Sequence, residues 1–296
     1  MLNAILGLLA VITAGFSTVY VKDFKQHRDK SKNKIFKTGI FIGFITDFLD
    51  AIGVGSFATT TGILKLNKHI NIPDKLLPGT LNVAHALPMI VQAFMSLNSI
   101  SVDLITLVSM IIAAVAGSWI GAGIISKLPE KKVQLTMGVA LVGTAILIIL
   151  GQVGLMPAGG DAMSLSGSKL VIGIVGNFIL GALMTAGIGL YAPCMAMVAL
   201  LGMNPKAAFP IMMGACAFVG PIASTKFVKE QAYEREISMG ITIGGVVGSI
   251  LALLFVTNMP VYWLKWLVVA VVSYTAVTMF KAGLSKDENL ELEQVS

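Results

Sequence analysis

Phe48-Leu49-Asp50-Ala51-Ile52-Gly53-Val54-Gly55-Ser56-Phe57-Ala58-Thr59-Thr60-Thr61-Gly62 is an apolar segment interrupted by Gly-x-Gly. Leu183-Met184-Thr185-Ala186-Gly187-Ile188-Gly189-Leu190-Tyr191-Ala192-Pro193-Cys194 repeats the interruption about 134 residues later. A glycine pair inside a membrane-length segment opens the backbone, and the freed N–H and C=O groups persist in lipid only where they line a cavity or are buried in protein. Interrupted segments at matching positions in two halves are the sequence pattern of a mid-membrane binding site in a carrier.

The rest of the composition agrees with a membrane setting. Mean hydropathy is +0.86 and only 12% of residues are charged, against about a quarter in soluble domains. Ordinary spans are expected at about 2–21, 76–97, 102–126, 132–151, 207–226, 237–257 and 261–281, each near the ~20 residues that cross the hydrocarbon. No polar stretch long enough for a soluble domain separates them, so 1–296 reads as a single membrane domain. The first apolar run has its charges after it and no small-residue cleavage site, which marks a retained helix. The net charge of +6 is carried by short loops and is no nucleic-acid signal. Cys194 and Cys216 both lie in apolar segments, so a disulfide framework is not expected.

Charge also bears on the interrupted segments, 36–64 and 169–201. If both cross the membrane, Lys and Arg divide 13 to 8; if both turn back at the break, they divide 18 to 3, with only Lys169, Lys206 and Lys265 outside. The positive-inside rule favours the second arrangement, as do arms of about 13–16 residues, roughly 20–24 Å of helix, too short to span. The fold class expected is therefore all-α integral membrane, with about 7 full spans plus two re-entrant segments. One re-entrant pair and three spans per half make the repeats inverted. The division is 1–35, a first helix and basic cytoplasmic linker; 36–151, repeat 1; 152–168, an outer linker; 169–281, repeat 2; and 282–296, an acidic tail. Pro78 matches Pro210, and Pro88 lies near the counterpart of Pro221. This places a multi-pass protein in the cell membrane with its N-terminus outside and its C-terminus cytoplasmic.

Asp47 and Asp50 lie about 16–21 Å along a helix from Phe36, near the bilayer centre. A carboxylate there is costly unless paired, hydrated or protonated, and at i and i+3 the two share a face and repel if both are charged. They are candidates for proton coupling; Asp50, just before the break, is also placed to cap the next half-helix. Ser56, Thr59, Thr60 and Thr61 follow the break, where free N–H groups and the helix dipole suit an anion; hydroxyls can equally bond their own helix. Gly53, Gly55, Gly187 and Gly189 permit close backbone approach, Pro193 suits a restarted helix, and Tyr191 and Cys194 stand in the second stretch. Asn82 and His85, at i and i+3, are candidates for substrate contact and proton relay, or for packing. Asn177 is the neutral counterpart at Asp47's depth in the second half. No lysine or arginine is expected within membrane depth, so an anion would be held by N–H groups, hydroxyls and dipoles with modest affinity.

Gly53, Gly55, Pro78 and Pro88 in one half and Gly187, Gly189, Pro193 and Pro221 in the other, with the two-half layout of the whole chain, resemble the sulfite exporter TauE/SafE family of permeases. Many members run several glycines together followed by Pro, whereas Gly55 here is followed by Ser-Phe-Ala-Thr-Thr-Thr. The resemblance implies secondary transport of a small anion, such as sulfite, an organosulfonate or a carboxylate, coupled to protons. The alternative is a cation/proton exchanger in which Asp47 and Asp50 are the ligands. An enzyme is not expected: the aspartates are one turn apart rather than on facing elements, as a shared-proton dyad requires, and His27, His69 and His85 are isolated. No phosphate-binding loop, metal site or cofactor is expected. The partners expected are a small anionic solute, protons and the lipid bilayer, with homo-oligomerisation left open.

Overall fold

A computed structural model describes residues 2–51, 54–67, 70–96, 102–156, 159–187, 189–204, 207–255 and 262–284. Eleven α-helices are found among them: α1 Leu2–His27, α2 Asn33–Ala51, α3 Ser56–Leu66, α4 Leu77–Ser96, α5 Leu104–Ile125, α6 Glu130–Gln152, α7 Gly167–Met184, α8 Tyr191–Leu200, α9 Ala208–Lys229, α10 Arg235–Phe255 and α11 Tyr262–Leu284. No strand is present among the described residues. Six helices (α1, α5, α6, α7, α9 and α10) are long and apolar enough to cross a membrane. The 282–296 tail lies almost wholly outside the described residues.

Helices α4 and α9 pack side by side at the centre. Leu81, Val83, Ala84 and Ala86 of α4 and Ile211, Ala215, Ala217 and Val219 of α9 are fully buried. Around them α2 packs on α10 and α5 on α7, so each broken segment leans on a helix from the other half; α6 and α11 form a further pair. The α2–α10 contact is closed by glycine. A Cβ at Gly43 would fall on the Ile241 carbonyl, and one at Gly244 on the Ile40 carbonyl. The outer faces of α5, α6, α7 and α10 expose Ile105, Ile112, Ile120, Val139, Val171, Val175, Val247 and Leu254, an apolar coat far larger than a soluble monomer carries.

Hydrogen bonds fix which helix ends lie together. At one end, Lys32 before α2 pairs with Glu234, whose N–H donates to Thr80 in the first turn of α4. Lys65 at the close of α3 pairs with Asp74 just before α4. The start of α2 and the finish of α3 are thus at the same end. At the opposite end the N–H of Leu165, before α7, donates to Thr106 of α5. Beside it Asn204, just past α8, donates to the Ala162 carbonyl, so α7 begins where α8 finishes.

The arms differ from the expected lengths. α2 and α7 have 19 and 18 residues and α3 and α8 only 11 and 10. The break falls late because the apolar run before each Gly-x-Gly is continuous, whereas the run after it soon meets Asn67 or Gly202. At about 1.5 Å per residue the first arms reach roughly 27–28 Å, close to the thickness of the hydrocarbon layer.

Candidate functional site

The site is assembled where the two interrupted segments end. Gly55, at φ +92° before α3, and Gly187, at φ +97° after α7, hold backbone conformations that side-chain-bearing residues rarely adopt. Neither Gly55 nor Gly189 has a neighbour where a Cβ would sit. Both line two adjoining cavities. The larger, of about 340 Å³, runs past Phe57, Ala58, Thr144, Leu147 and Pro193 to the exposed Gly151 and the half-buried Gln152 and Lys265. The smaller, of about 50 Å³, lies deeper among Asp50, Ser56, Gln92, Leu190, Met212 and Cys216. Gly53 lies outside the described residues, as does the side chain of Tyr191.

Asp47, His85 and Thr60 form one fully buried chain across α2, α4 and α3. His85 Nδ1 is 2.8 and 3.0 Å from the Asp47 carboxylate oxygens, and its Nε2 is 3.0 Å from the Thr60 hydroxyl. With Asp47 ionised the carboxylate accepts only, and Nδ1 then carries a proton. Neutral imidazole then accepts from Thr60, and imidazolium donates to it. The same heavy-atom positions serve both states, so the chain can hold or release one proton without repacking. Phe57 lies against the imidazole at 5.5 Å between ring centroids and shields it.

Asp50 does something different. One carboxylate oxygen accepts from the N–H of Ser56 at 2.8 Å, and the other from Gln92 Nε2 at 3.1 Å. Gln92 is also 3.1 Å from the Ser249 hydroxyl on α10. The first free N–H of α3 is therefore occupied by a resident carboxylate.

Several expected site residues sit elsewhere. Thr59 turns back into its own helix, donating to the Gly55 and Ser56 carbonyls, and Thr61 donates to Phe57. This is the local back-bonding open to any helical threonine, so of the expected hydroxyls only that of Ser56 is buried without a partner. Asn82 and His85 do not act together: Asn82 donates to the Pro78 and Thr185 carbonyls, and Thr185 belongs to the second break. Its amide oxygen is buried and unpartnered. Cys194 is packed in the core beyond both cavities, whereas Cys216 lines the smaller one. Asn177 donates to the Met110 carbonyl at 2.7 Å and ties α7 to α5.

Two residues of the site were not expected. Gln92 follows His85 by seven positions and so falls on the same α4 face; carrying the Asn82/His85 periodicity one step further finds it. Lys265 was placed in an outside loop by charge counting, yet it lines the larger cavity from the first turn of α11, without a carboxylate partner among the described residues. The expected span 261–281 begins within one residue of α11, so Lys265 lies in the first turn of that helix, beside the cavity. A lysine on a long stem keeps its charge at the interface while covering apolar surface.

Comparison with known proteins follows the same line. The family model described as "Sulfite exporter TauE/SafE" matches residues 1–148. No curated protein matches the chain, and neither does any solved structure. Matched along one half of its 296 residues, with apolar helices of membrane-crossing length and two glycine breaks meeting at one cavity system, the chain belongs to the sulfite exporter TauE/SafE family of membrane transporters.

Proposed function

We propose that this protein is a proton-coupled secondary transporter of a small anion, of the sulfite, organosulfonate or small-carboxylate class, with its site at the two glycine breaks. The observation that carries this is the convergence of Gly55 and Gly189 on the same two cavities, beside a buried Asp47–His85–Thr60 chain that keeps its geometry in either protonation state. The carboxylates of Asp47 and Asp50 are already met by N–H donors, an arrangement that suits protons and anions better than a cation ligated directly.

The re-entrant, inverted arrangement is part of the proposal. α2 and α3 enter from the end held by Arg235–Asp23, Lys32–Glu234 and Lys65–Asp74, and α7 and α8 from the other. The first end carries most of the Lys and Arg residues and is assigned to the cytoplasm; the larger cavity reaches the opposite end. This is an outward-facing arrangement with its inner side closed by ion pairs, and rocking of the halves would exchange the two.

The test is substrate-driven proton movement in liposomes containing a pH-sensitive dye. Sulfite, methanesulfonate, small carboxylates and monovalent cations are offered in turn to wild type and to Asp47→Asn/Asp50→Asn. A pH change driven by an anion and lost in the double variant supports the proposal. A response to cations alone overturns it in favour of the exchanger.

Lys265 adds a graded expectation. Lys265→Gln should raise the anion's KM about three- to tenfold with little change in kcat, because a charge at a cavity mouth concentrates the substrate rather than acting in the translocation step. The difference should shrink as salt rises from about 0.01 to about 1 M, where the screening length falls from about 30 to about 3 Å.

A further inference from the structure

At the N-terminus of α3 a freed backbone donor faces a cavity, and it is not vacant. Asp50 holds the Ser56 N–H through one oxygen and Gln92 through the other. Beside them the Ser56 hydroxyl, on a residue only 2% exposed, has no partner, and it lines the same 50 Å³ cavity as Asp50 and Gln92. Three donors therefore converge on one carboxylate: the Ser56 N–H and Gln92 Nε2 are bonded to it, and the Ser56 hydroxyl lies beside it. A cavity of this size takes only a compact group, and a larger substituent on it can extend past Gly55 and Gly189 into the neighbouring cavity.

We propose that Asp50 is a resident anion that competes with the transported one for a single set of donors: Ser56 N–H, Ser56 Oγ–H and Gln92 Nε2–H. With Asp50 ionised the site is filled. A proton from water in the cavity, added to a carboxylate oxygen, turns that charge-assisted pair of hydrogen bonds into weaker neutral ones and frees the donors for an oxyanion. Anion and proton then enter together because neither is accommodated alone: a second anion beside ionised Asp50 is repelled, and ionised Asp50 satisfies the donors when no substrate is bound. This rests on the transporter reading above and states how coupling arises within it. The titratable groups around Asp50 are Asp47 on its own helix, His85 on α4 and Cys216 on α9; the neighbour on α10, Ser249, is neutral.

Methanesulfonate is the probe, since it stays a monoanion throughout the accessible pH range and any pH dependence belongs to the protein. Its affinity for the purified wild type, measured by isothermal titration, should strengthen by up to about tenfold per pH unit as pH falls, the limit for one linked proton. Asp50→Asn should bind at least about tenfold more tightly than wild type at about pH 8 and show no such slope. Ser56→Ala keeps the helix cap and so folds independently of the outcome at Asp50; it should weaken binding by about tenfold or more, the usual loss for a hydrogen bond to a charged group, with the slope retained. Wild type whose liposomes respond to sulfite but whose methanesulfonate binding is absent or independent of pH overturns the inference and leaves the transporter reading standing. So does an Asp50→Asn slope equal to that of wild type, or a Ser56→Ala affinity equal to it. Wild type inert to every anion overturns the reading beneath it instead.

Discussion

Asp47→Asn is expected to reduce anion-driven proton uptake by about 100-fold or more while leaving anion-for-anion exchange measurable. Asp47 and His85 are both fully buried, and the carboxylate is the acceptor at His85 Nδ1. Removing one member of a buried charged pair costs about 3–5 kcal/mol because the other is left uncompensated, equivalent to about two to three orders of magnitude in an equilibrium constant. Asparagine keeps the volume and one acceptor oxygen, so it can still receive the Nδ1 proton, but it no longer balances an imidazolium. His85→Gln should reach a similar loss from the other side, since its amide can bond Asp47 or Thr60 but cannot pass a proton between them. Neither residue lines the cavities, so the substrate's KM in exchange should change less than threefold or so, a smaller effect than losing one hydrogen bond to a charged group. Proton uptake and counterflow measured on the same liposomes separate these effects. Equal loss of both activities would make the chain a packing element rather than a proton path.

The elements that were legible in the sequence are those in which a residue contradicts its surroundings. Gly53-Val54-Gly55 and Gly187-Ile188-Gly189 interrupt apolar runs, and Asp47, Asp50, Asn82 and His85 are polar where lipid or core would otherwise be read. All four polar residues are found next to the breaks. What they bond was not legible, because that depends on rotamers and on which helix packs opposite. Thr59 and Thr60 are adjacent and chemically identical, yet one turns back to its own backbone and the other meets His85. Asp50 could be read as a cap or as a coupling group, and only its position between Ser56 and Gln92 shows that one carboxylate serves both helices. The interchange of partners between halves, α2 on α10 and α7 on α5, is equally invisible to periodicity: it follows from glycine spacing on helices about 200 residues apart in the first pair and about 60 in the second. Lys265 was hidden for the opposite reason, since a lysine near the start of a span looks like a topology signal whether or not a cavity lies beneath it.

That glycine spacing supports the second large expectation. Gly244→Leu should abolish recovery of folded protein, and Gly244→Ala should lower its apparent unfolding temperature by about 5 °C, the shift expected for roughly 3 kcal/mol in a chain of this size. A Cβ on Gly244 would lie on the carbonyl carbon and oxygen of Ile40, both backbone atoms of α2, so no rotamer change relieves the overlap and the helices must move apart. Small residues are what allow such close approach where lipid offers no hydrophobic drive to associate, and overpacking typically costs about 1–3 kcal/mol even where side chains can adjust. Gly143→Ala is the internal comparison. No atom lies within 4 Å of its added carbon, so relief of glycine's poor helix propensity, about 1 kcal/mol, should leave the unfolding temperature unchanged or slightly raised. Gly245, one residue on from Gly244, separates folding from function. Its added carbon would meet the Asp47 carboxylate and Pro88 Cγ, so Gly245→Ala should displace the carboxylate from His85. Proton coupling should then fall further than stability does, whereas Gly244→Ala should lose both together. Thermal unfolding followed by size-exclusion fluorescence, with proton uptake measured on the recovered fraction, gives both quantities. A Gly244→Ala protein as stable as wild type would mean that α2 and α10 are not in this close contact, and the position of Asp47 between α4 and α10 would have to be redrawn.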